Sequence, residues 1–145
     1  MRTVEILVGP SGSGKSTWAA NQTAATVVSA DHFFEMRGGY RFDPAKLGEA
    51  HAQCMLRFVE AMVRGVGRSD EMVIVDNTNT TPIEVAPYYA VAKAFRCRVV
   101  IRRFNGDHEN RHGVPPNAVE AQRARIRRFE IPPFWDVVQV QGGGA

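Results

Sequence analysis

Apolar and polar residues alternate along this chain in blocks that predict strands and helices in turn. Short runs rich in valine, isoleucine and threonine indicate strands at residues 4–8, 26–29, 72–75, 98–104 and 135–140. Helices are expected between them, at residues 18–25, 44–64, 82–95 and 117–129. Strands separated by helices need crossover connections, which produce a parallel sheet. The pattern therefore predicts an α/β fold, with a mostly parallel sheet of four to five strands and helices on both faces.

Two of the predicted helices carry signals in their first turns. Asp43 and Pro44 suit the N-cap and first position of the helix at 44–64, and apolar residues then recur at three- and four-residue steps. His51 lies on that apolar stripe, so a packed core histidine is expected there. Asn117 is expected to cap the last helix. The core-facing positions of that helix are predicted to be Val119, Gln122, Ile126 and Phe129.

Length and composition suit one compact domain. The chain has 145 residues, of which 44% are hydrophobic, and no apolar run approaches the ~18 residues needed to span a membrane. Residues 1–140 are therefore expected to form a single domain, followed by a flexible tail at 141–145. Cys54 and Cys97 lack metal-like spacing, so free thiols and a cytoplasmic location, or the host cytoplasm for a viral protein, are expected. No leader peptide and no obligatory protein partner are indicated.

Positive charge is concentrated in the second half of the chain. Residues 96–128 contain nine arginines against three acidic residues, whereas the whole chain has a net charge of only +3. A basic surface of this kind suits a phosphate-rich partner such as nucleic acid, and a solvated arginine-rich face is the other interpretation.

The most specific motif lies between the first strand and the first helix. Gly9, four further residues and then Gly14, Lys15 and Ser16 match the phosphate-binding loop pattern, in the strand–loop–helix context that it requires. Glycines let backbone N–H groups surround phosphate oxygens, Lys15 reaches the β- and γ-phosphates, and the Ser16 hydroxyl ligates Mg²⁺. ATP and Mg²⁺ are thus the expected cofactors. The expected nucleotide contacts are Gly12, Ser13, Gly14, Lys15, Ser16 and Thr17.

Polar residues also follow the other predicted strands, at the edge where parallel sheets bind ligands. Asp31 follows the second strand and is the candidate general base for an incoming hydroxyl. Asp76 ends the third strand and is the candidate magnesium carboxylate. Arg111 lies in the irregular segment 105–116, where it is expected to close over the triphosphate as a lid arginine. Strand ends meeting at one edge predict an active site for phosphoryl transfer.

Five segments, in this order, resemble the P-loop polynucleotide kinases, which phosphorylate 5′-hydroxyl ends of nucleic acids. They are the phosphate loop, Ser29-Ala30-Asp31-His32-Phe33, Phe42-Asp43-Pro44 with His51 downstream, Val75-Asp76-Asn77-Thr78-Asn79, and Asn110-Arg111-His112-Gly113-Val114-Pro115. The resemblance covers about residues 3–130 and implies the three-layer P-loop kinase fold with a lid segment. It also implies transfer of the ATP γ-phosphate to DNA or RNA, with Lys15 and Arg111 as catalytic cations and Asp31 as the base.

The acceptor contacts differ from the pattern of that family. An arginine normally follows three residues after the base, but Phe34 stands there and Arg37 is only nearby. Phe33 and Phe34 are candidates for stacking on a base, although neighbouring aromatic residues more often belong to a core. The expected acceptor contacts are Phe33, Phe34, Arg37 and Asn79.

Other functions fit the same loop. The acceptor is alternatively a hydroxymethyl group on a modified DNA base, or the hydroxyl of a nucleoside, sugar or other small molecule. A non-enzymatic nucleotide switch is a third interpretation. Guanine-specific switches usually carry an Asn-Lys-x-Asp segment, and none of Lys15, Lys46 and Lys93 follows an asparagine.

Overall fold

A parallel sheet forms the centre of the molecule. The computed structural model describes residues 1–35, 42–106 and 113–140, so the predicted tail at 141–145 lies outside the described residues. The strands are β1 (Thr3–Val8), β2 (Thr26–Val28), β3 (Met72–Asp76), β4 (Arg98–Phe104) and β5 (Val137–Val140). Their order in the sheet is β2-β3-β1-β4-β5, and every neighbouring pair is parallel. The predicted α/β class with a parallel sheet is confirmed.

Helices connect the strands and cover the sheet. They are α1 (Lys15–Ala20), α2 (Asp31–Glu35), α3 (Leu47–Arg64), α4 (Pro82–Ala94) and α5 (Pro116–Arg127). A 3-10 turn at Pro44–Lys46 precedes α3, and the Asp43 side chain accepts a hydrogen bond from Ala45 N at 3.0 Å. Asp43 is therefore an N-cap, as predicted. Among the described residues no helix combines the length and apolar character that crossing a bilayer requires.

Strand β1 carries core side chains on both of its faces, because side chains alternate along a strand. Val4, Ile6 and Val8 belong to the larger apolar cluster, which also contains Phe58 of α3. The remaining apolar side chain of the strand, Leu7, packs in a second cluster with Ala19 of α1 and Ile74 of β3. Apolar side chains thus lie on both faces of the sheet, which gives the layers helix, sheet and helix that the sequence predicts.

Two helices differ from the sequence-based expectation: α1, which follows β1, and α2, which follows β2. Helix α1 ends at Ala20, well before residue 25. Ala24 adopts φ 66°, a left-handed backbone conformation that an α-helix cannot contain. Helix α2 was not predicted, because five residues are too few to show a helical period.

Two further expectations about single residues are wrong. Residues 42–49 are all exposed, and Ala50 is the first buried residue of α3, so His51 lies in the exposed first turns and is not a core histidine. Helix α5 begins at Pro116, with Pro115 at the cap position, so Asn117 does not cap it. Ile126 and Phe129 are buried as predicted, whereas Val119 and Gln122 are half-buried.

Candidate active site

The phosphate-binding loop is held tightly between the ends of β3 and β4. Gly9 N donates a hydrogen bond to the Thr78 carbonyl at 3.0 Å. A Cβ on Gly9 would lie 2.5 Å from Ser13 Oγ and 3.0 Å from the Phe104 carbonyl oxygen, so only glycine fits there. Gly12 and Gly14 have φ of 80° and 100°, which glycine adopts without a steric cost. These conformations turn successive N–H groups of the loop inward, as phosphate binding requires.

Lys15 begins helix α1 and lies inside the loop. Its side chain is buried, and Nζ donates to the Pro10 carbonyl at 3.0 Å. Burial lowers the pKa of Lys15, and the negative charges of Asp76 and Asp31 oppose that shift. The ammonium is therefore shielded from water and faces both candidate carboxylates, a position from which it can bind phosphate strongly.

Asp76 and Ser16 form a pair of oxygen ligands at the end of β3. Ser16 Oγ donates to Asp76 Oδ2 at 2.9 Å. Burial raises the pKa of Asp76, while Lys15 and the Ser16 hydrogen bond lower it. Mg²⁺ prefers oxygen ligands and is usually held by one or two protein groups, with water and substrate phosphates completing its shell. The pair fits that ion. The described residues contain no cluster of three or more His, Cys, Asp or Glu side chains that could hold a metal without a substrate.

Asp31 opens helix α2 and faces the same space as the metal pair. A cavity of about 260 Å³ is lined by Asp31, Ser16 and Asp76, together with Ser29, His32 and Glu35. Asp31 N donates to Ser29 Oγ at 3.1 Å, which fixes the start of the helix. The charge of Asp31 also acts on Lys15 and raises the pKa of Asp76. The structure thus brings the candidate base, the candidate magnesium ligands and the loop lysine together.

The predicted acceptor contacts are not brought together in the same way. Phe34 is 4% exposed and belongs to the larger core, where its ring packs on Phe33 and Phe42. Asn79 is also 4% exposed and donates from Nδ2 to the Leu7 carbonyl at 2.7 Å. Phe34 and Asn79 are thus buried and held by contacts within the fold, and their assignment as acceptor contacts stays a prediction. Phe33 is half-buried beside the cavity residue His32.

Two predicted site residues, Arg37 and Arg111, lie outside the described residues. Their assignments as acceptor contact and lid arginine stay predictions.

A second cavity, of about 300 Å³, lies on the Pro10 side of the loop. It is lined by Pro10, Arg103, Phe104, Asn105, Arg123, Ile126, Arg127 and Gln139. Arg103 donates to the Ile126 carbonyl and Arg123 to the Gly106 carbonyl, each at 3.0 Å. Helix α5 also contacts the loop directly, because Ser11 N donates to Gln122 Oε1 at 2.9 Å. Sequence reasoning missed this cavity, since its residues come from β4, α5 and β5 and form no local motif.

The fold and this site define a P-loop kinase-like domain. The chain matches the family model described as AAA domain over residues 4–129, and it belongs to that family.

Two relatives match along most of the chain. It is 30% identical over 142 residues to NEDD4-binding protein 2 of Homo sapiens, an alignment that covers 89% of this chain and 8% of the human protein. It is 25% identical over 131 residues to an uncharacterised protein of Pasteurella multocida, covering 82% of this chain and 73% of that protein. The chain therefore spans only a small part of the length of the human relative.

Several solved structures share the fold. Chaetomium thermophilum Kti12, in complex with ADP-AlF3, superposes with a TM-score of 0.57 at 18% identity, covering 97% of this chain and 88% of that one. The APS kinase CysC of Mycobacterium tuberculosis, in complex with AMPPNP and APS, gives a TM-score of 0.55 at 16% identity, covering 99% and 89%. At this level of identity the likeness shows the P-loop kinase fold alone.

Proposed function

We propose that this domain is an ATP-dependent kinase that transfers the γ-phosphate to a nucleic-acid hydroxyl, with a polynucleotide 5′-hydroxyl as the acceptor. The observation that carries the proposal is the position of Asp31, which shares one cavity with Ser16 and Asp76. In phosphoryl transfer, a carboxylate at this position orients or deprotonates the hydroxyl that attacks the γ-phosphorus. The second cavity, on the Pro10 side, leaves room for the nucleoside half of ATP.

The residues divide the work of phosphoryl transfer. The N–H groups of the loop and Lys15 bind the β- and γ-phosphates, and Ser16 and Asp76 hold Mg²⁺, which neutralises phosphate charge when bound. Asp31 takes the proton of the acceptor hydroxyl as its oxygen attacks the γ-phosphorus. The bond from that phosphorus to the bridging oxygen breaks, so ADP leaves and a phosphate monoester is formed. Arg111 is proposed as the cation that covers the transferred group.

Surface charge favours a nucleic-acid acceptor over a small one. Residues 96–128 carry six more positive than negative side chains, as nine arginines oppose three acids. Arg125, Arg127 and Arg128 are exposed at the end of α5, and Arg127 is also a lining residue of the second cavity. Strand phosphates are the ligands that such a surface binds.

A kinase for another hydroxyl is the second candidate. The cavity at Asp31 has about 260 Å³, which suits one nucleoside-sized group. A hydroxymethyl group on a DNA base, a free nucleoside or a sugar would fit the same base and loop. The APS kinase that shares this fold was solved with the small molecule APS, which also keeps this candidate open.

One labelling experiment separates these acceptors. The protein is incubated with γ-labelled ATP and Mg²⁺, together with 5′-hydroxyl DNA and RNA oligonucleotides, nucleosides, and DNA containing a hydroxymethyl base. We expect label at the 5′ end of the oligonucleotides. Label in nucleosides or hydroxymethyl bases alone would support the second candidate, and ATP binding without any labelled acceptor would contradict a kinase.

Substitution of the proposed base tests the mechanism. We expect Asp31→Asn to lower turnover at least ~100-fold, because general base catalysis contributes about 10²–10⁴-fold, while ATP binding is retained. Lys15→Ala is expected to lower both turnover and ATP binding. Glu35→Gln is the matched control, since Glu35 is a carboxylate that lines the same cavity. Full turnover by Asp31→Asn, or equal losses from both carboxylate variants, would rule out Asp31 as the base.

A further inference from the structure

A side chain, rather than the backbone, joins the ends of β2 and β3 next to the active site. Asn77 lies directly after β3, and its Oδ1 accepts a hydrogen bond from Ala30 N at 2.8 Å. Both residues are buried, with exposures of 7% for Asn77 and 6% for Ala30. A buried bond of this kind is not exchanged readily for water, so it holds the two chain segments at a fixed separation.

The sheet itself does not hold this part of β2. The pairing of β2 with β3 ends at Val28 and Val75, and no ladder pair extends beyond them. Ala30 and Asp31 come after that point, where α2 begins. The Asn77 amide therefore takes the place of the next backbone bond.

Each of the two hydrogen-bonded residues is adjacent in sequence to a carboxylate residue of the site. Asp31 is the next residue after Ala30, and Asp76 comes directly before Asn77. Both carboxylates line the same cavity. A single hydrogen bond thus links the backbone that carries the proposed base to the backbone that carries the proposed metal ligand.

The other end of the Asn77 amide is anchored in the core. Its Nδ2 donates to Cys54 Sγ at 3.5 Å, and the Tyr88 hydroxyl donates to the same sulfur at 3.2 Å. Cys54 and Tyr88 come from α3 and α4 and are 1% and 5% exposed. If the amide were reversed, its NH₂ group would face the Ala30 N–H, so these contacts define its orientation.

We propose that Asn77 is a positioning residue for phosphoryl transfer, which sets the place of Asp31 relative to Asp76 through the Ala30 N–H. The chemistry it serves rests on the proposed function. Asn77 is not one of the residues that line the cavity of Asp31 and Asp76. It acts through Asp31, so its removal should leave the loop, and hence ATP binding, unaffected.

Kinetics with a matched control test this role. We expect Asn77→Ala to lower kcat for transfer to a 5′-hydroxyl oligonucleotide by about 10–100-fold, with the KM for ATP changed less than about twofold, because only transition-state positioning is lost. Val73→Ala is the control: Val73 lies in β3, the strand that leads to Asn77, is 1% exposed, and pairs with Val4 of β1 and Thr26 of β2. Its kcat should stay within about threefold of the wild type when assayed well below its melting temperature.

A double-mutant cycle separates positioning from general damage. If Asn77 acts through Asp31, adding Asn77→Ala to Asp31→Asn should cause no further loss of turnover. Losses that multiply in the double variant, or an Asn77→Ala enzyme with wild-type kcat, would overturn the inference while leaving Asp31 as the base.

Amide hydrogen exchange at Ala30 gives a readout that needs no activity. We expect at least ~10-fold faster exchange at this amide in Asn77→Ala than in Val73→Ala, because only the first variant removes its acceptor. If no oligonucleotide is phosphorylated, the proposed function fails, but this comparison still decides whether Asn77 holds Ala30. Equal exchange in the two variants would overturn the positioning role.

Discussion

Lys15 and Asp76 both have pKa values shifted towards their neutral forms, although each faces an opposite charge. Burial is the largest cause for both residues, and it outweighs their mutual attraction. Two buried opposite charges of this kind add little stability to the fold, since desolvation can exceed the Coulombic gain. Ligands can compensate for this burial. The phosphates of a triphosphate supply negative charge to Lys15, and a metal ion supplies positive charge to Asp76. We therefore expect binding of ATP and Mg²⁺ to stabilise the protein.

Asp76→Asn should make the ligand-free protein more stable. The pKa of Asp76 is higher in the folded protein than its ordinary value of 3.8. Protonated Asp76 therefore stabilises the fold at pH values below 3.8, and this stabilisation is lost as pH rises through the pKa of the folded protein. Asparagine avoids this loss. In EDTA at pH 7 we expect a melting midpoint about 2–4 °C higher, equivalent to ~1 kcal/mol for a chain of this size, with the gain disappearing below the ordinary pKa.

The same substitution at an exposed carboxylate, Asp70→Asn, is the control and should leave the midpoint almost unchanged. Mg²⁺-dependent stabilisation by ATP should be lost only in Asp76→Asn. A lower midpoint for Asp76→Asn at pH 7 would show that the charge of Asp76 stabilises the fold after all.

Gly9→Ala should weaken ATP binding, because the new methyl group would collide with Ser13 and with the backbone of β4. The Cβ would lie 3.0 Å from the Phe104 carbonyl oxygen, and that backbone cannot move away easily within a sheet. We expect at least ~10-fold weaker ATP binding by calorimetry, together with a lower melting midpoint. Gly48→Ala is the matched control, since its Cβ meets nothing within 4 Å; in a helix, alanine should stabilise by about 0.5–1 kcal/mol. Equal ATP affinity in the two variants would contradict this reading of the loop.

At the level of elements, the sequence predicts what repeats along the chain and misses what depends on a distant partner. The apolar runs identify all the strands, and the loop motif identifies Lys15 and Ser16 because its spacing is local. Helix α2 has too few residues to show a period, and the exposure of His51 depends on where α3 meets the sheet. Asn77 bonds to a residue 47 positions away, so no pattern near it could reveal its role.

The contact between α5 and the phosphate loop can be tested by substitution of Gln122. Gln122 accepts the Ser11 N–H, so Gln122→Ala should leave the first turn of the loop less well fixed. We expect ATP binding to weaken by about 3–10-fold, which corresponds to ~1 kcal/mol for one hydrogen bond. Gln53→Ala makes the same substitution on α3 and should bind ATP like the wild type. Unchanged affinity in Gln122→Ala would mean that the loop needs no support from α5.

At the scale of the whole molecule, the candidate active site lies at one end of the sheet, where the carboxyl ends of the strands meet. Gly65, at the end of α3, lies beside Arg2 at the opposite ends of the strands. Arg125 and Arg127 of α5 lie on the side of the site, since Arg125 donates to Thr80 Oγ1 and Arg127 lines the second cavity. Arg64 ends α3 at the far side, next to Gly65. The position of a charge, rather than its presence alone, should therefore decide whether it contributes to nucleic-acid binding.

Oligonucleotide binding should fall steeply with salt if α5 contacts strand phosphates. Each phosphate contact adds about 0.7 to the slope of log K against log salt for a single strand. Arg128→Gln should reduce that slope by about this amount, whereas Arg64→Gln, at the far side, should leave it unchanged. A slope of log K against log salt near zero in the wild type would favour a small uncharged acceptor. Equal changes of the slope in both variants would indicate attraction by the net charge of the protein rather than contacts with a surface on α5.

The strand order has a consequence for folding. Strand β1, which leads into the phosphate loop, pairs with β3 and β4, and Thr3 of β1 lies opposite Met72 and Arg98. The partners of this strand thus lie 69 and 95 residues further along the chain, and pairing between such distant segments is slow. The phosphate loop therefore obtains its fixed position late in folding, so ATP can stabilise the completed sheet but not its early stages.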